Sequence, residues 1–306
     1  MDQAWILLSV GAALMQAVRT AAQRQLNRTI STMGTTYVRS LFGVPLMALY
    51  LVLVMRWTGE GVPRFSVHYL TDCFLGGLTQ VLATACLIYL LRLRNFAVGT
   101  TLTKADVVMT AIIGSLFFAE VITPLGWIAL GLVLVGMALL SLGRAGVAAL
   151  TGEGGGFLGA VLSRPTQIGL LTGLLFTFSY LFLRDATLAM GGGTSAWRGA
   201  WTVFMTTLMQ AIFLGIWLII TEPAVFRQLW PNRWIISFIA ITSTLGSIGW
   251  FTAFALQNAS YVRSVGQIEA VFTLSISYFY FREKVNALEL AGIVVTVGAV
   301  LLFRLL

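Results

Sequence analysis

Residues 94–110, RNFAVGTTLTKADVVMT, match residues 257–273, QNASYVRSVGQIEAVFT, at an offset of 163 positions. Both copies interrupt an apolar stretch with a carboxylate at the same place, because Asp106 falls on Glu269. Similarity at a fixed spacing is typical of a duplicated structural unit. We therefore predict that the chain consists of two related halves, each with an acidic residue inside a mainly apolar segment.

The composition predicts that lipid is the main solvent of this chain. Of its 306 residues, 58% are hydrophobic and 10% are charged, and its mean hydropathy is +0.90. A soluble domain carries about 25% charged residues. Apolar stretches of about 20 residues fit helices that cross about 30 Å of hydrocarbon, whereas barrel strands show short alternating segments. We predict an all-α integral membrane protein with ten transmembrane helices. The spans are residues 3–23, 35–56, 68–92, 96–118, 123–142, 167–189, 195–220, 234–256, 261–281 and 286–305.

The ten predicted spans divide into two halves. Residues 1–143 form the first five-helix repeat, residues 144–166 a glycine-rich linker, and residues 167–306 the second five-helix repeat. GTTYVRS in the second span aligns with GTSAWRG in the seventh, so that Arg39 falls on Arg198. Because five is an odd number of crossings, the two repeats cross the membrane in opposite directions. Such inverted repeats are typical of secondary transporters, whose substrate site lies near the midplane between them.

Lysine and arginine are unevenly distributed between the connections. Odd-numbered connections carry ten and even-numbered connections six. The positive-inside rule then puts the odd connections in the cytoplasm and both termini outside. We assign the net charge of +8 to contacts with anionic lipid headgroups rather than to nucleic acid, because the chain has no basic tract.

Few residues are suited to metal or cofactor binding. Cys73 and Cys86 are thirteen positions apart in one predicted helix, a separation of about 20 Å that excludes a disulfide between them. His68, the only histidine, lies near the start of a span and is interpreted as a polar anchor at the membrane interface. The sequence therefore predicts no metal site and no cofactor. It also lacks a nucleotide-binding loop of the GxxxxGK[ST] type.

The chain resembles the drug/metabolite transporter superfamily, specifically its EamA-like members. The resemblance rests on ten helices, two five-helix halves and a glutamate at the end of both the fourth and the ninth span. The glutamates are Glu120 in LFFAEVIT and Glu283 in YFYFREKVN, where family members often read Gly-Glu. The resemblance implies a central cavity between helices one to four and six to nine, alternating access, and small organic solutes as cargo. It also implies cytoplasmic termini, contrary to the charge count, so the orientation stays open. Small four-helix members exchange protons through a glutamate in their first helix, but the first span here has no carboxylate beyond Asp2.

Lys104 and Asp106 lie eight and ten residues into the fourth predicted span, a depth of about 12 to 15 Å. Side chains two positions apart point in different directions on a helix, so each needs a partner from another helix or a wet cavity. In one interpretation Lys104 binds an anionic group while Asp106 or Glu269 binds a cation or carries a proton. In the other, an interhelical bridge such as Lys104 with Glu269 holds the halves in register. Lys104 is matched by the neutral Gln267 in the repeat.

Polar and aromatic residues on other spans recur at helical spacing, which predicts faces that line the same cavity. These substrate-binding candidates are Gln16 and Arg19 in the first span, Gln80 and Thr84 in the third, Thr177 and Tyr180 in the sixth, and Ser247 and Trp250 in the eighth. Arg39 and Arg198 are placed at the starts of their helices. They either bind lipid phosphate or act as gates that pair with a carboxylate in one conformation only.

The sequence favours a secondary transporter of a small polar or amphipathic metabolite, such as an amino acid or related zwitterion, driven by a gradient of protons or other ions or by downhill exchange. Efflux of a drug or organic cation is the alternative within this class, and a non-transporting scaffold or sensor subunit is the alternative of another class. An enzyme is not expected, because carboxylates are scattered and histidine is single. The predicted location is the plasma membrane, the inner membrane of a bacterium, as a monomer or homodimer.

Overall fold

The computed structural model of the protein describes residues 3–91, 103–145, 164–279 and 286–305, and the regular structure in these residues is helical. The α-helices are α1 (Ala4–Leu26), α2 (Thr32–Thr58), α3 (Val67–Leu91), α4 (Asp106–Phe117), α5 (Pro124–Ala145), α6 (Arg164–Ala189), α7 (Ser195–Thr221), α8 (Val225–Leu229), α9 (Arg233–Leu256), α10 (Ala259–Gly266), α11 (Glu269–Phe279) and α12 (Ala287–Leu302). A short 3₁₀ turn, Phe303–Leu305, follows α12. Most of the predicted linker, together with Glu283 and the start of the fourth predicted span, lies outside the described residues.

Seven helices are long and apolar enough to cross a membrane: α1, α2, α3, α6, α7, α9 and α12 with its 3₁₀ turn. α4 is shorter, and both α4 and the Pro124–Leu140 part of α5 are apolar. The prediction of an all-helical membrane protein is therefore confirmed. The seven long helices coincide with seven of the predicted spans to within a few residues.

The ninth predicted span, residues 261–281, is not one regular helix. Its first part is α10 and its second part is α11, with Gln267 and Ile268 in a turn between them. The amides of both residues bond to carbonyls three positions back, at 3.1 Å each, instead of four. Tightened turns of this kind inside a helix often mark a hinge. The prediction of one continuous helix is therefore wrong at Gln267 and Ile268, because the amides of both residues make 3₁₀-type hydrogen bonds.

Helix starts repeat at a constant spacing. The first residues of α2 and α7, of α4 and α11, and of α5 and α12 are each 163 positions apart. The same spacing relates the two copies of the sequence match. Asp106 and Glu269 are consequently the first residues of equivalent helices, α4 and α11.

Residues 1–81 and 179–257 form one compact unit. Within it α1 packs along α9, and α2 packs along α7. Small residues allow the first crossing, because a Cβ on Gly249 would lie 2.9 Å from the carbonyl oxygen of Leu8 and 3.0 Å from the Cβ of Ala12. Close backbone approach through small residues is the usual source of association between membrane helices.

The α3–α6 contact in this unit is equally close. A Cβ on Gly76 would lie 2.7 Å from the Leu183 side chain, and the Ser179 hydroxyl donates to the Gly76 carbonyl at 2.9 Å. A hydrogen bond of this kind is worth about 1 kcal/mol between membrane helices. Gln80 lies on α3 one turn after Gly76.

Residues 82–178 and 258–306 form the second compact unit. Here α5 packs along α12, and α10 packs against α4 and α5. Gly136 and Gly292 face each other at the α5–α12 crossing. A Cβ on Gly292 would lie 2.8 Å from the Gly136 carbonyl oxygen, and a Cβ on Gly136 would lie 2.9 Å from the Thr296 amide nitrogen.

Not every glycine of this helix pair supports packing. Gly131 lies on α5 and Gly298 on α12, but a Cβ at either position would meet no atom within 4 Å. The two positions therefore serve as internal controls for the crossing.

We predict that Gly136→Ala and Gly292→Ala each lower the free energy of unfolding by about 1 to 3 kcal/mol, because the added methyl group meets backbone atoms that cannot move away cheaply. Gly131→Ala and Gly298→Ala are expected to be neutral or stabilising by up to about 1 kcal/mol, since alanine is the better helix former. Thermal unfolding of the four variants in one detergent provides the comparison. Equal effects at all four positions would contradict the assigned crossing.

Candidate functional site

A small polar cavity lies in the first unit, between α2, α3, α7 and α9. Its lining residues are Arg39, Met47, Gln80, Thr206, Thr207, Gln210, Ser243, Thr244, Ser247 and Phe251. The cavity has room for about one water molecule. Seven of the ten lining side chains end in a hydroxyl or an amide, so the cavity suits a polar guest rather than a lipophilic one.

Arg39 is held by two glutamine side chains. Its Nη2 donates to Gln80 Oε1 at 3.0 Å and to Gln210 Oε1 at 3.4 Å. Gln210 Nε2 donates in turn to Gln80 Oε1 at 2.9 Å and to the Gly77 carbonyl at 3.1 Å, and Ser40 donates to Gln210 Oε1 at 3.3 Å. The guanidinium is thus fixed by neutral oxygens.

The charge of Arg39 has no carboxylate partner among the described residues. Arg39 lies seven residues after the first residue of α2, about 10 Å along the helix. The expected position at a helix start is therefore wrong, because α2 begins at Thr32 and carries Arg39 two turns inward. Arg198, its sequence match, is the fourth residue of α7. A cation at such depth requires water or an anion.

Two further substrate-binding candidates, Trp250 and Gln16, are in contact with each other. Trp250 Nε1 donates to Gln16 Oε1 at 3.2 Å, which links α9 to α1. The Trp250 ring is stacked on Phe254 with centroids 6.4 Å apart, and Tyr180 lies 6.1 Å from the same Phe254 ring. Ser247 lines the cavity. These contacts bring Gln16, Trp250 and Tyr180 into one group. That this group lines a substrate cavity stays a prediction.

Arg19 lies on the same helix as Gln16, one turn later, and its positive charge is close enough to act on that of Arg39. Both residues belong to the first unit.

The second unit contains a buried ion pair. Arg263 Nη2 lies 3.2 Å from Asp106 Oδ2, and both side chains are less than a tenth exposed. Thr110 and Thr177 hold the Asp106 backbone, since their hydroxyls donate to its carbonyl oxygen at 2.6 and 3.2 Å. Asp106 Oδ1 has no hydrogen-bond partner among the described residues. The carboxylate therefore has one neutralised oxygen and one that is unsatisfied.

The bridge that the sequence interpretation drew between Lys104 and Glu269 is replaced by the bridge between Asp106 and Arg263. Lys104 is half-buried in the turn before α4, and Glu269 is half-buried at the start of α11. Gln267 is buried, and its Nε2 approaches the Arg263 carbonyl at 3.5 Å. Thr84 is half-buried on α3 in the same unit.

Glu120 is a buried cap rather than a free carboxylate. Its Oε1 accepts from the Ala259 amide at 2.6 Å, and its Oε2 accepts from the Ser260 hydroxyl at 3.0 Å and the Ser260 amide at 3.4 Å. A carboxylate stabilises the exposed amides at a helix N-terminus. The preceding Ala119 has a φ of +52°. Glycine adopts this conformation most easily, which gives a physical reason for the Gly-Glu pattern of the resemblance.

The comparison with known families decides the class of the chain. The model of the EamA-like transporter family matches residues 3–142 and again residues 167–305. The chain belongs to the EamA-like transporter family. It is therefore a multi-pass membrane transporter of the drug/metabolite type with a small-molecule substrate, in a family of transporters rather than enzymes.

A solved structure supports the fold independently. One crystal structure matches 100% of this chain and 98% of its own chain with a TM-score of 0.72 and 14% sequence identity. At that identity the likeness concerns the fold alone. No curated protein matches this EamA-like chain significantly in sequence.

Two important residues were missed by the sequence interpretation. Arg263 stands near the start of the ninth predicted span and was not among the candidates, but α10 begins at Ala259 and buries it. Gln210 stands in the apolar run FMTTLMQAIF of α7, where a single amide was the only available signal. Its partners are 130 to 171 positions distant, so the sequence does not indicate which side chains it meets.

We predict that Asp106→Asn and Arg263→Gln each destabilise the protein by about 3 to 5 kcal/mol, because each leaves one buried charge without its partner. The double variant should lose less than the sum of the two, since it removes both charges. A double-mutant cycle of unfolding free energies measures the coupling. Glu222→Gln, at the partly exposed end of α7, is the control, and strictly additive losses would contradict the pair.

Proposed function

We propose that this EamA-like protein is a secondary transporter of small metabolites that carry a carboxylate, such as amino acids or related zwitterions, and that Arg39 binds the carboxylate. The observation that supports this most directly is the set of partners of Arg39. Its described hydrogen bonds go to Gln80 and Gln210, both neutral, and both are made by Nη2.

The guanidinium has donors to spare for a ligand. Arginine presents five N–H groups in a rigid planar fork that matches the two oxygens of a carboxylate. The two glutamines fix the orientation of this fork without neutralising it. An incoming carboxylate would gain charge-assisted hydrogen bonds and would also offset the cost of a cation among apolar helices.

The size of the cavity supports alternating access. With room for about one water, it cannot hold an amino acid as it stands. Entry of a solute therefore requires separation of the helices that line the cavity, α2 and α3 from α7 and α9. Trp250, stacked on Phe254 and bonded to Gln16, would contact the remainder of the solute when these helices separate.

We assign ion coupling to the Asp106–Arg263 pair and, by the repeat, to Glu269. Asp106 has one oxygen on Arg263 and one that lacks a described hydrogen-bond partner. Such a carboxylate can take up a proton or a cation when its arginine partner moves away. Lys104 and Arg198 retain their predicted roles in charge recognition and gating.

We also propose ten crossings in two inverted repeats, residues 1–143 and 167–306 joined by the linker 144–166. The contacts support this, because α2 packs on α7, α5 on α12 and α4 on α10. Each of these pairs joins corresponding spans of the two halves, as a two-fold relation between the halves requires. The plasma membrane, as the inner membrane of a bacterium, is the proposed location.

The inverted topology has a direct test. Single cysteines in the second and sixth connections, at Gly61 and Gly192, should react with an impermeant thiol reagent from the same side of the membrane. A cysteine in the seventh connection, at Gln228 in α8, should react from the opposite side. Labelling of all three positions from one side would contradict the ten-span arrangement.

The carboxylate assignment is tested by uptake into proteoliposomes. We predict that Arg39→Gln raises the apparent Kd of a transported amino acid roughly 10- to 150-fold, because hydrogen bonds to a charged group are worth about 1.5 to 3 kcal/mol. Arg39→Lys should lie between Gln and wild type, since lysine keeps the charge and loses the fork. Ligand-dependent thermal stability of the same variants gives an independent reading.

The control for this test is Arg64→Gln, an exposed arginine in the connection before α3, which should leave affinity unchanged. Unaltered carboxylate affinity in Arg39→Gln would contradict the assignment. Transport of organic cations without any carboxylate would favour the efflux alternative, and the absence of any transport would favour a scaffold.

A further inference from the structure

The first unit holds a second cluster of chemically active side chains, away from the Arg39 cavity. His68 and Asp72 are one turn apart on α3, and Asp185 lies on α6. His68 Nε2 is 3.4 Å from Asp72 Oδ2 and 3.2 Å from Asp185 Oδ2. One ligand atom from each of the three side chains lies within 4.8 Å of the other two.

Asp72 is the buried member of the cluster. Its side chain is 6% exposed, whereas His68 is 62% and Asp185 is 39% exposed. Asp72 Oδ2 points at the other two residues and has no hydrogen-bond partner among the described residues. Burying an ionised oxygen without a hydrogen bond is costly unless a cation compensates it. The two exposed members leave an entry path for that cation.

The protonated imidazole alone does not account for these contacts. Both carboxylates approach the same nitrogen, and a single N–H cannot donate well to two acceptors. Both contacts are at ion-pair distance, 3.4 and 3.2 Å. Three ligand atoms, one from each side chain, that lie within 4.8 Å of one another are arranged as metal ligands are.

We propose that His68, Asp72 and Asp185 bind one divalent transition-metal ion, with Zn²⁺ as the best fit. Zinc bonds to histidine nitrogen and carboxylate oxygen measure about 2.0 to 2.2 Å, so neighbouring ligands of a tetrahedral site are about 3.3 to 3.5 Å apart. The two separations at His68, 3.4 and 3.2 Å, lie in this range or about 0.1 Å below it. Three protein ligands leave a fourth position for water or a small anion.

The proposal departs from the sequence interpretation of His68 as a polar anchor and of the chain as lacking a metal site. A search for clustered cysteine and histidine does not find it, because two of the three ligands are carboxylates on helices more than a hundred positions apart. The local signal was the His–x₃–Asp spacing of His68 and Asp72, which places two ligands on one face of a helix.

A bound ion would join α3 to α6. The same two helices already meet where Ser179 bonds to the Gly76 carbonyl. Metal binding at His68 would therefore secure a second point of the α3–α6 contact and stabilise the folded unit in proportion to ligand concentration.

The test is a titration of Zn²⁺ into the purified, chelator-treated full-length protein, prepared without a histidine tag. One Zn²⁺ should bind per chain, and the protein should unfold at a higher temperature when Zn²⁺ is present. His68→Ala and Asp72→Asn should each weaken binding at least about tenfold. Glu222→Gln, a carboxylate-to-amide change elsewhere in the unit, should leave binding unchanged.

Because His68 is the only histidine, its modification by diethyl pyrocarbonate reports this site alone, and bound Zn²⁺ should slow the reaction at least about tenfold. The thermal midpoint and elution volume of metal-free His68→Ala establish that the variant folds. Equal Zn²⁺ affinity in wild type and His68→Ala, or stoichiometric binding that leaves the imidazole reactive, would overturn the proposal. So would the absence of binding to the wild type.

Discussion

Lipid hydrocarbon cannot solvate a charge, and this constraint shapes every polar feature of the protein. An ionised group inside the membrane needs a partner, water or a ligand. The three groups considered above satisfy the constraint in different ways. Asp106 is neutralised by Arg263, Glu120 by backbone amides at a helix start, and Arg39 only by the oxygens of glutamines. Of the three groups, Arg39 is therefore the one whose charge is least neutralised.

The scaffold that presents these groups depends on small residues at helix crossings. Gly249 lets α9 approach α1, and Gly136 and Gly292 let α5 approach α12. Because lipid tails are as apolar as leucine, close packing and hydrogen bonds must supply the association energy between helices. The polar networks therefore depend on the packed crossings, since the crossings determine which polar side chains meet.

Composition and periodicity predicted the membrane class and the approximate limits of the long helices, and the resemblance of the two halves and their glutamate motifs predicted the family. The repeat identified Asp106 and Glu269 as matching carboxylates within apolar segments. Both residues begin equivalent helices. The partners were not predictable in the same way. Arg263 was hidden by an uncertain helix boundary, and Gln210 meets side chains that are distant in sequence. Contacts of this kind arise from the packing of helices, which a single sequence does not specify. Whether the predicted site residues bind a substrate stays a prediction.

The central claim is that Arg39 recognises a carboxylate, and it is tested most directly by ligands that differ in that group alone. Calorimetric titration of the wild-type protein with a panel of amino acids and their carboxamides compares a charged carboxylate with a neutral amide on the same ammonium-bearing skeleton. The account predicts that at least one amino acid binds at least about tenfold more tightly than its carboxamide, since a charge-assisted pair with arginine is lost. Equal or tighter binding of the carboxamides throughout the panel would contradict it.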